Sequence, residues 1–249
     1  MRSLLIPAFL VVAACTGEPP AAAAPQTSAC EVRTFEGSGF TICSAKGRKV
    51  QIRASDEAGK AYRGFAELEA ALGPRAARVA FGMNAGMFDD EGHAIGLLIE
   101  DGRTLHPINR NKGGGNFHLL PNGVFLVRKD GDAEVVTSEA FKPAKEITFA
   151  TQSGPMLVID GNLHPKFDAD GTSRYIRNGV GIASDGTPMF VISNDQVSFG
   201  KLARFFRDQL KTRNALYFDG SVSSLWDPAN GRMDDFTPIG PMVIVFSTK

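Results

Sequence analysis

Asp-Gly pairs recur in this chain between short apolar runs. Gly96-Leu97-Leu98-Ile99 leads to Asp101-Gly102, the run 156–159 leads to Asp160-Gly161, and the run 180–183 leads to Asp185-Gly186 and then 189–192. Asp-Gly accepts the positive φ that tight turns demand, so each pair predicts a hairpin. Further strands are predicted over 79–83, 124–128, 134–136, 215–218 and 242–246. Helical spacing occurs in two segments. Phe65, Leu68 and Leu72 form one, stopped by Gly73-Pro74; Leu202, Phe205, Phe206 and Leu210 form the other, with Ser198 as N-cap. Many hairpins and few helices predict an α+β fold: strand-rich mixed or antiparallel sheets with a few packing helices, in a single domain. Without βαβ alternation a doubly wound nucleotide fold is excluded. Gly113-Gly114-Gly115 lacks the Lys-Ser/Thr ending of a phosphate loop and reads as a flexible loop.

The start of the chain speaks to location. Arg2 precedes an apolar run of about a dozen residues, too short for a bilayer span, which needs about 20. A cationic start, a short apolar core and small residues at its end have the form of a secretory signal. Val12-Ala13-Ala14-Cys15 has the form of a bacterial lipoprotein box, in which Cys15 becomes the lipidated first residue. Several acyl chains on that cysteine give stable anchoring, and the membrane is expected to be touched through this anchor only. The competing reading is ordinary cleavage in the alanine tract 21–24, with Cys15 lost. The expected organisation is a signal segment over 1–15, a disordered Ala/Pro/Thr/Ser tether over 16–29 and one domain over 30–249. Two further cysteines, Cys30 and Cys43, flank Gly37-Ser38-Gly39, which turns the chain back. A disulfide is expected there, worth on the order of 3 kcal/mol. Basic and acidic residues balance at 27 each, so no net field favours nucleic acid.

Polar and glycine residues gather at strand ends in four places: Met83-Asn84-Ala85-Gly86-Met87-Phe88, Gln152-Ser153-Gly154-Pro155, Arg177-Asn178-Gly179 and Phe218-Asp219-Gly220-Ser221-Val222-Ser223. In this order they resemble the phosphodiester glycosidase family, whose animal member removes the covering N-acetylglucosamine from mannose 6-phosphate diesters. The family carries an Asn-Gly/Ala-Gly-Phe-Phe-like loop, a Gly-Pro strand start, an Arg-x-x-Gly strand and a late Asn-Ala-Leu-x-Leu-Asp-Gly-Gly-x-Ser motif. The likeness runs from about residue 79 to the end. Two positions depart from the pattern: Met87 in the first loop, and Ser221 for the third residue of Asp-Gly-Gly. A serine there is unfavourable if the backbone needs positive φ.

The resemblance implies an exported hydrolase that cleaves a glycosyl phosphodiester or related glycosidic bond in a cell-envelope glycan. The chemistry assigns Arg177 to the departing phosphate, through its guanidinium fork. Asp219, with Asp195 as second choice, supplies the carboxylate that faces an oxocarbenium-like sugar or activates water. Asn84, Gly86, Phe88, Gly154, Gly220 and Ser223 are the candidate substrate contacts. Each has a plainer reading: an Asp-Gly after a strand is commonly a turn, Asp195 can cap the loop before Ser198, Arg177 can pair with a carboxylate, and Asn84 can hold a turn. A non-catalytic glycan-binding or scaffold lipoprotein is the alternative, motivated by Ser221. Ser153 lacks the preceding glycine of a nucleophile elbow, which weakens a serine-hydrolase reading. His93, His106, His118 and His164 show no metal-type spacing and read as structural or surface residues. No cofactor is called, and a divalent cation at Asp219 stays open.

Overall fold

The computed structural model describes residues 27–248. The signal segment, Cys15 and most of the tether lie outside the described residues. The tether's last residues are already docked: Ser28 Oγ donates to Asp227 Oδ2 at 2.9 Å, and Ser44 N donates to Ala29 O at 2.9 Å. Residues 28 and 29 are thus already tied to the domain ahead of Cys30.

Every strand pairing among the described residues is antiparallel. The strands form three sheets. The first has seven, in the spatial order Cys30–Phe35, Ser38–Ser44, Pro188–Ser193, Asn178–Ile182, Ala215–Tyr217, Met156–Ile159 and Asn162–Leu163. The second runs Arg232–Met233, Leu225–Asp227, Val79–Asn84, Met242–Phe246, Lys49–Arg53. The third runs Arg103–His106, Leu98–Glu100, Ile147–Ser153, Gly123–Arg128, Ala133–Thr137. The middle strands of the three sheets are thus Asn178–Ile182, Val79–Asn84 and Ile147–Ser153, and each carries one of the polar motifs at its end.

The predicted hairpins have the expected cause. Asp101 and Gly102 (φ 48° and 77°) and Asp160 and Gly161 (φ 48° and 83°) both hold two successive positive φ values, the signature of a type I′ turn. The third is a longer loop in which only Gly186 is positive, closed by Ala183 N donating to Thr187 O at 2.9 Å.

One apolar core draws on all three sheets, with Phe190 and Leu216 from the first, Phe81 and Val243 from the second, and Phe125 and Phe149 from the third. Helix Phe65–Leu72 buries Phe65, Leu68 and Leu72 on the outer side of the second sheet, against Trp226 and Ile244. It stops at Gly73 as predicted, although the chain then winds on as a 3-10 segment, Gly73–Arg78, which tolerates Pro74 near its start. Helix Phe199–Arg204 covers the first sheet and is capped by Ser198 Oγ, which accepts from Lys201 N at 3.1 Å. Its continuation is a π turn, Phe205–Gln209, which buries Phe205 and Phe206 side by side. No helix among the described residues is long and apolar enough to cross a membrane.

Cys30 and Cys43 are cross-strand neighbours joined by a disulfide, with Cα atoms 4.0 Å apart. Cys30–Phe35 is an edge strand with a largely exposed face, so few apolar contacts hold it to the sheet. Replacing both cysteines by serine is expected to lower stability by about 3 kcal/mol, read as a lower urea midpoint.

Candidate active site

Asn84 ends the middle strand of the second sheet and is buried. Its amide nitrogen donates to Asp219 O at 2.8 Å. Its amide oxygen accepts from Asn178 Nδ2 at 2.7 Å and from Ser224 N at 2.8 Å. Asn178, fully buried at the start of the first sheet's middle strand, also donates to Asn84 O at 2.9 Å. Ser223 Oγ donates to Ile176 O at 3.0 Å and lies 3.3 Å from Asn178 Oδ1. Backbone bonds from Phe218 N to Asn178 O (3.1 Å) and from Asn84 N to Ser224 O (3.3 Å) close the arrangement. Two buried asparagines therefore tie two sheets together and suspend the turn 219–223 between them.

The third sheet arrives by close packing. A Cβ on Gly86 would fall 2.3 Å from Thr151 Oγ1 and 2.7 Å from Gln152 O, so only glycine lets the first loop lie on that strand end. Gly154 plays a similar part, since a Cβ there would meet Asn122 Cβ at 2.5 Å. Both glycines face protein.

The turn itself is built on Tyr217. Its hydroxyl accepts from Gly220 N at 2.8 Å and from Arg177 Nη1 at 3.2 Å. A Cβ on Gly220 would lie 2.0 Å from that oxygen, which explains the glycine by proximity. Burial pushes the Tyr217 hydroxyl up to about 12, so it stays protonated. Ser221 is exposed and is not among the residues with positive φ, so serine at this position carries no backbone strain.

Arg177 departs from expectation. It is 1 % exposed, donating through Nε to Val197 O at 2.9 Å and through Nη2 to Ser173 O and Oγ at 3.0 and 3.1 Å. Its guanidinium carbon lies 3.6 Å from the centre of the Phe199 ring. The side chain is directed under the turn and holds Tyr217; in this structure it is not presented to a departing phosphate. Asp195 departs as well. Its exposed carboxylate accepts from Gly39 N at 2.7 Å and pins the first hairpin to the end of strand Pro188–Ser193. Its plainer reading was a cap on the loop before Ser198, whereas the bond it makes is to the distant first hairpin, and Ser198 caps its own helix.

Asp219 is the carboxylate that the network presents. It is half-buried, and burial raises its pKa above the usual aspartate value, opposed by Ser221 N donating to Oδ1 at 3.1 Å. Phe88 closes the first loop with Arg63 stacked over its ring at 5.2 Å. Ser153 Oγ is buried without a hydrogen-bond partner among the described residues, so no base activates it. His164 is buried against Leu120 O (3.2 Å), and burial lowers its pKa. Among the described residues no group of three His, Cys, Asp or Glu side chains is placed to hold a metal ion. Sequence reasoning passed over Asn178, Tyr217 and Ser224. The signal for Asn178 was an asparagine leading straight into an apolar, glycine-spaced strand, where a buried amide demands partners.

Fold and site together define a strand-rich α+β domain in which the middle strands of two sheets hold one carboxylate-bearing turn through Asn84 and Asn178. The chain belongs to the phosphodiester glycosidase family, whose sequence profile matches residues 77–246. It is 38% identical over 149 residues to the uncharacterized protein YigE of Escherichia coli K12, covering 60% of this chain and 58% of that relative's length. The fold is similar to the catalytic domain of zebrafish N-acetylglucosamine-1-phosphodiester alpha-N-acetylglucosaminidase, auto-inhibited by its pro-peptide. That match has a TM-score of 0.60 at 17% identity and covers 88% of this chain and 81% of that one. A hypothetical protein from Synechocystis matches with a TM-score of 0.56 at 13% identity, over 87% of this chain and 61% of that one.

Two substitutions in this site are expected to move stability in opposite directions. Asn84→Ala removes the side-chain partners of Ser224 N and Asp219 O, leaves Asn178 Nδ2 only the Asn84 backbone carbonyl, and is expected to cost about 3 kcal/mol. For Asp219 the folded pKa is raised, so the native state holds more protons than the unfolded one and stability falls as pH rises through that range. Asp219→Asn is therefore expected to raise the melting temperature at pH 7 and to leave it unchanged near pH 3. Melting curves of both variants at the two pH values check this.

Proposed function

We propose that this protein is an exported hydrolase that cleaves a glycosyl phosphodiester in a cell-envelope glycan, with Asp219 as its reacting carboxylate. The single observation that carries the reading is the amide network of Asn84 and Asn178, which gathers the family's motif loops around that carboxylate. Family membership supplies the reaction class. The zebrafish relative's name, which specifies an N-acetylglucosamine 1-phosphodiester, indicates the kind of bond to offer first. The signal-like start and the box ending at Cys15 support the location and the lipid anchor.

In the proposed reaction the bond between the sugar's C1 and the phosphate oxygen breaks, and the electron pair leaves with the phosphomonoester. Water supplies the new C1–O bond, and its proton passes to a carboxylate or to solvent. Asp219 acts in its ionised form, either on water or on the cationic sugar carbon. A phosphomonoester is a good leaving group, which reduces the need for a strong general acid. Ser223 and the exposed edge of the 219–223 turn face the sugar hydroxyls. Arg177 contributes by fixing Tyr217 and Gly220, and so acts as a positioning residue. The ordinary φ of Ser221 removes backbone strain as a support for the non-catalytic reading.

The test is a panel of glycosyl phosphodiesters offered to the wild type and to Asp219→Asn, with sugar release measured. Release is expected to fall at least 100-fold in the variant. The acid limb of kcat/KM is expected above the pH of an ordinary aspartate, because desolvation raises the Asp219 pKa. Equal release by both proteins removes Asp219 from the reaction; no release by the wild type from any diester refutes the hydrolase.

A further inference from the structure

Tyr175 is 55 % exposed, while Tyr217 is buried and Tyr62 only partly accessible. Tyr175 carries this exposed ring on an anchored stretch of backbone. Its backbone pairs with Val197 in both directions, N to O at 3.3 Å and O from N at 2.8 Å, which fixes its position as firmly as a strand residue. Beneath it lies the Arg177 guanidinium, 5.4 Å from the ring centre. That guanidinium rests in turn on Phe199 at 3.6 Å, which stacks on Phe167 at 5.0 Å, which stacks on His164 at 4.7 Å. Tyr175 is thus the solvent-facing end of a continuous stack whose inner members are held by packing and hydrogen bonds.

The stack ends beside the candidate active site. Arg177 reaches Gly220 through the Tyr217 hydroxyl, and Ser223 reaches Ile176, the residue after Tyr175. An exposed aromatic face on an anchored backbone, backed by Arg177 and flanked by the hydroxyl-bearing 219–223 turn, is matched to a ligand with one apolar face and polar edges. A pyranose ring has that form: its axial C–H groups make an apolar face and its hydroxyls lie around the rim. A rigid aromatic also binds at little cost in side-chain entropy.

From this geometry we infer that Tyr175 is a sugar-stacking subsite, holding a pyranose ring of the glycan next to the turn that carries Asp219. The inference rests on the glycan-directed reading above, but it concerns binding and needs no turnover.

The experiment uses ligands that have no phosphate to release: the methyl α-glycosides of N-acetylglucosamine, glucose and mannose, with inorganic phosphate as control. Binding is followed by saturation-transfer NMR and titration for the wild type, Tyr175→Ala and Tyr175→Phe. Because Tyr175 is exposed, both variants are expected to melt within a few degrees of the wild type. At least one glycoside is expected to bind the wild type, about tenfold more weakly to Tyr175→Ala, and within about twofold to Tyr175→Phe. Phosphate binding is expected to be the same in all three. Equal glycoside affinity in Tyr175→Ala, or no glycoside binding by the wild type, overturns the subsite. A parallel loss of phosphate binding also overturns it, since Tyr175 would then act through Arg177. Failure of the hydrolase reading alone leaves the glycoside titrations readable and unchanged.

Discussion

The structure depends on a hydrogen-bonded pair of buried asparagines. Asn84 and Asn178 stand at the ends of the middle strands of two different sheets, and Asn178 Nδ2 donates to Asn84 Oδ1 at 2.7 Å. Three antiparallel sheets around a common apolar core have many ways to slide, because apolar contacts are non-directional. A pair of amides with fixed donor and acceptor directions does not slide: leaving one unpaired in the interior costs as much as several favourable contacts. The register between the sheets is therefore set at this point. The turn 219–223 inherits its position, since its backbone carbonyl at Asp219 and its amide at Ser224 are both held by Asn84.

Around that fixed point the charged groups divide into those that brace the turn and one left, among the described residues, without a counter-ion. Arg177 and Tyr217 support from below: a desolvated guanidinium between aromatic rings donates to a phenol that stays protonated, and the phenol holds Gly220. Asp219 alone is left half-buried with a raised pKa and only a backbone N–H to favour its charge. An arrangement optimised for stability would not leave a carboxylate so; raised pKa values of this origin gather at reacting sites. The glycines of the motifs belong to the support. At Gly86 and Gly220 the limiting factor is space, 2.3 Å and 2.0 Å from a would-be Cβ to the neighbouring oxygen, and neither uses a positive φ.

Much of the fold was legible because local chemistry and tertiary structure agree. Asp-Gly pairs dictated turns wherever both flanks were apolar, Gly73-Pro74 ended a helix, and Ser198 capped another. Disulfide pairing followed from two cysteines on either side of a predicted turn. What escaped was direction. Arg177 sits in a motif with phosphate-binding chemistry, yet the aromatic residues Phe199 and Tyr217, distant in sequence, draw its side chain inward. Asp195 lies beside a helix cap and close in sequence to the site strands, but its strand neighbours the first hairpin, and the carboxylate turns to Gly39. The role of Asn178 needed the knowledge that its strand is central and that Asn84 lies opposite, which only sheet order supplies.

The central claim, that this site breaks a sugar–oxygen bond, is tested most directly by isotope tracing. A glycosyl phosphodiester is hydrolysed in water enriched in 18O, and the released sugar and phosphomonoester are analysed by mass spectrometry and 31P NMR. Cleavage between C1 and oxygen places the label in the sugar's anomeric hydroxyl and leaves the phosphomonoester unlabelled. Label in the phosphate would mean attack at phosphorus, and would contradict the account.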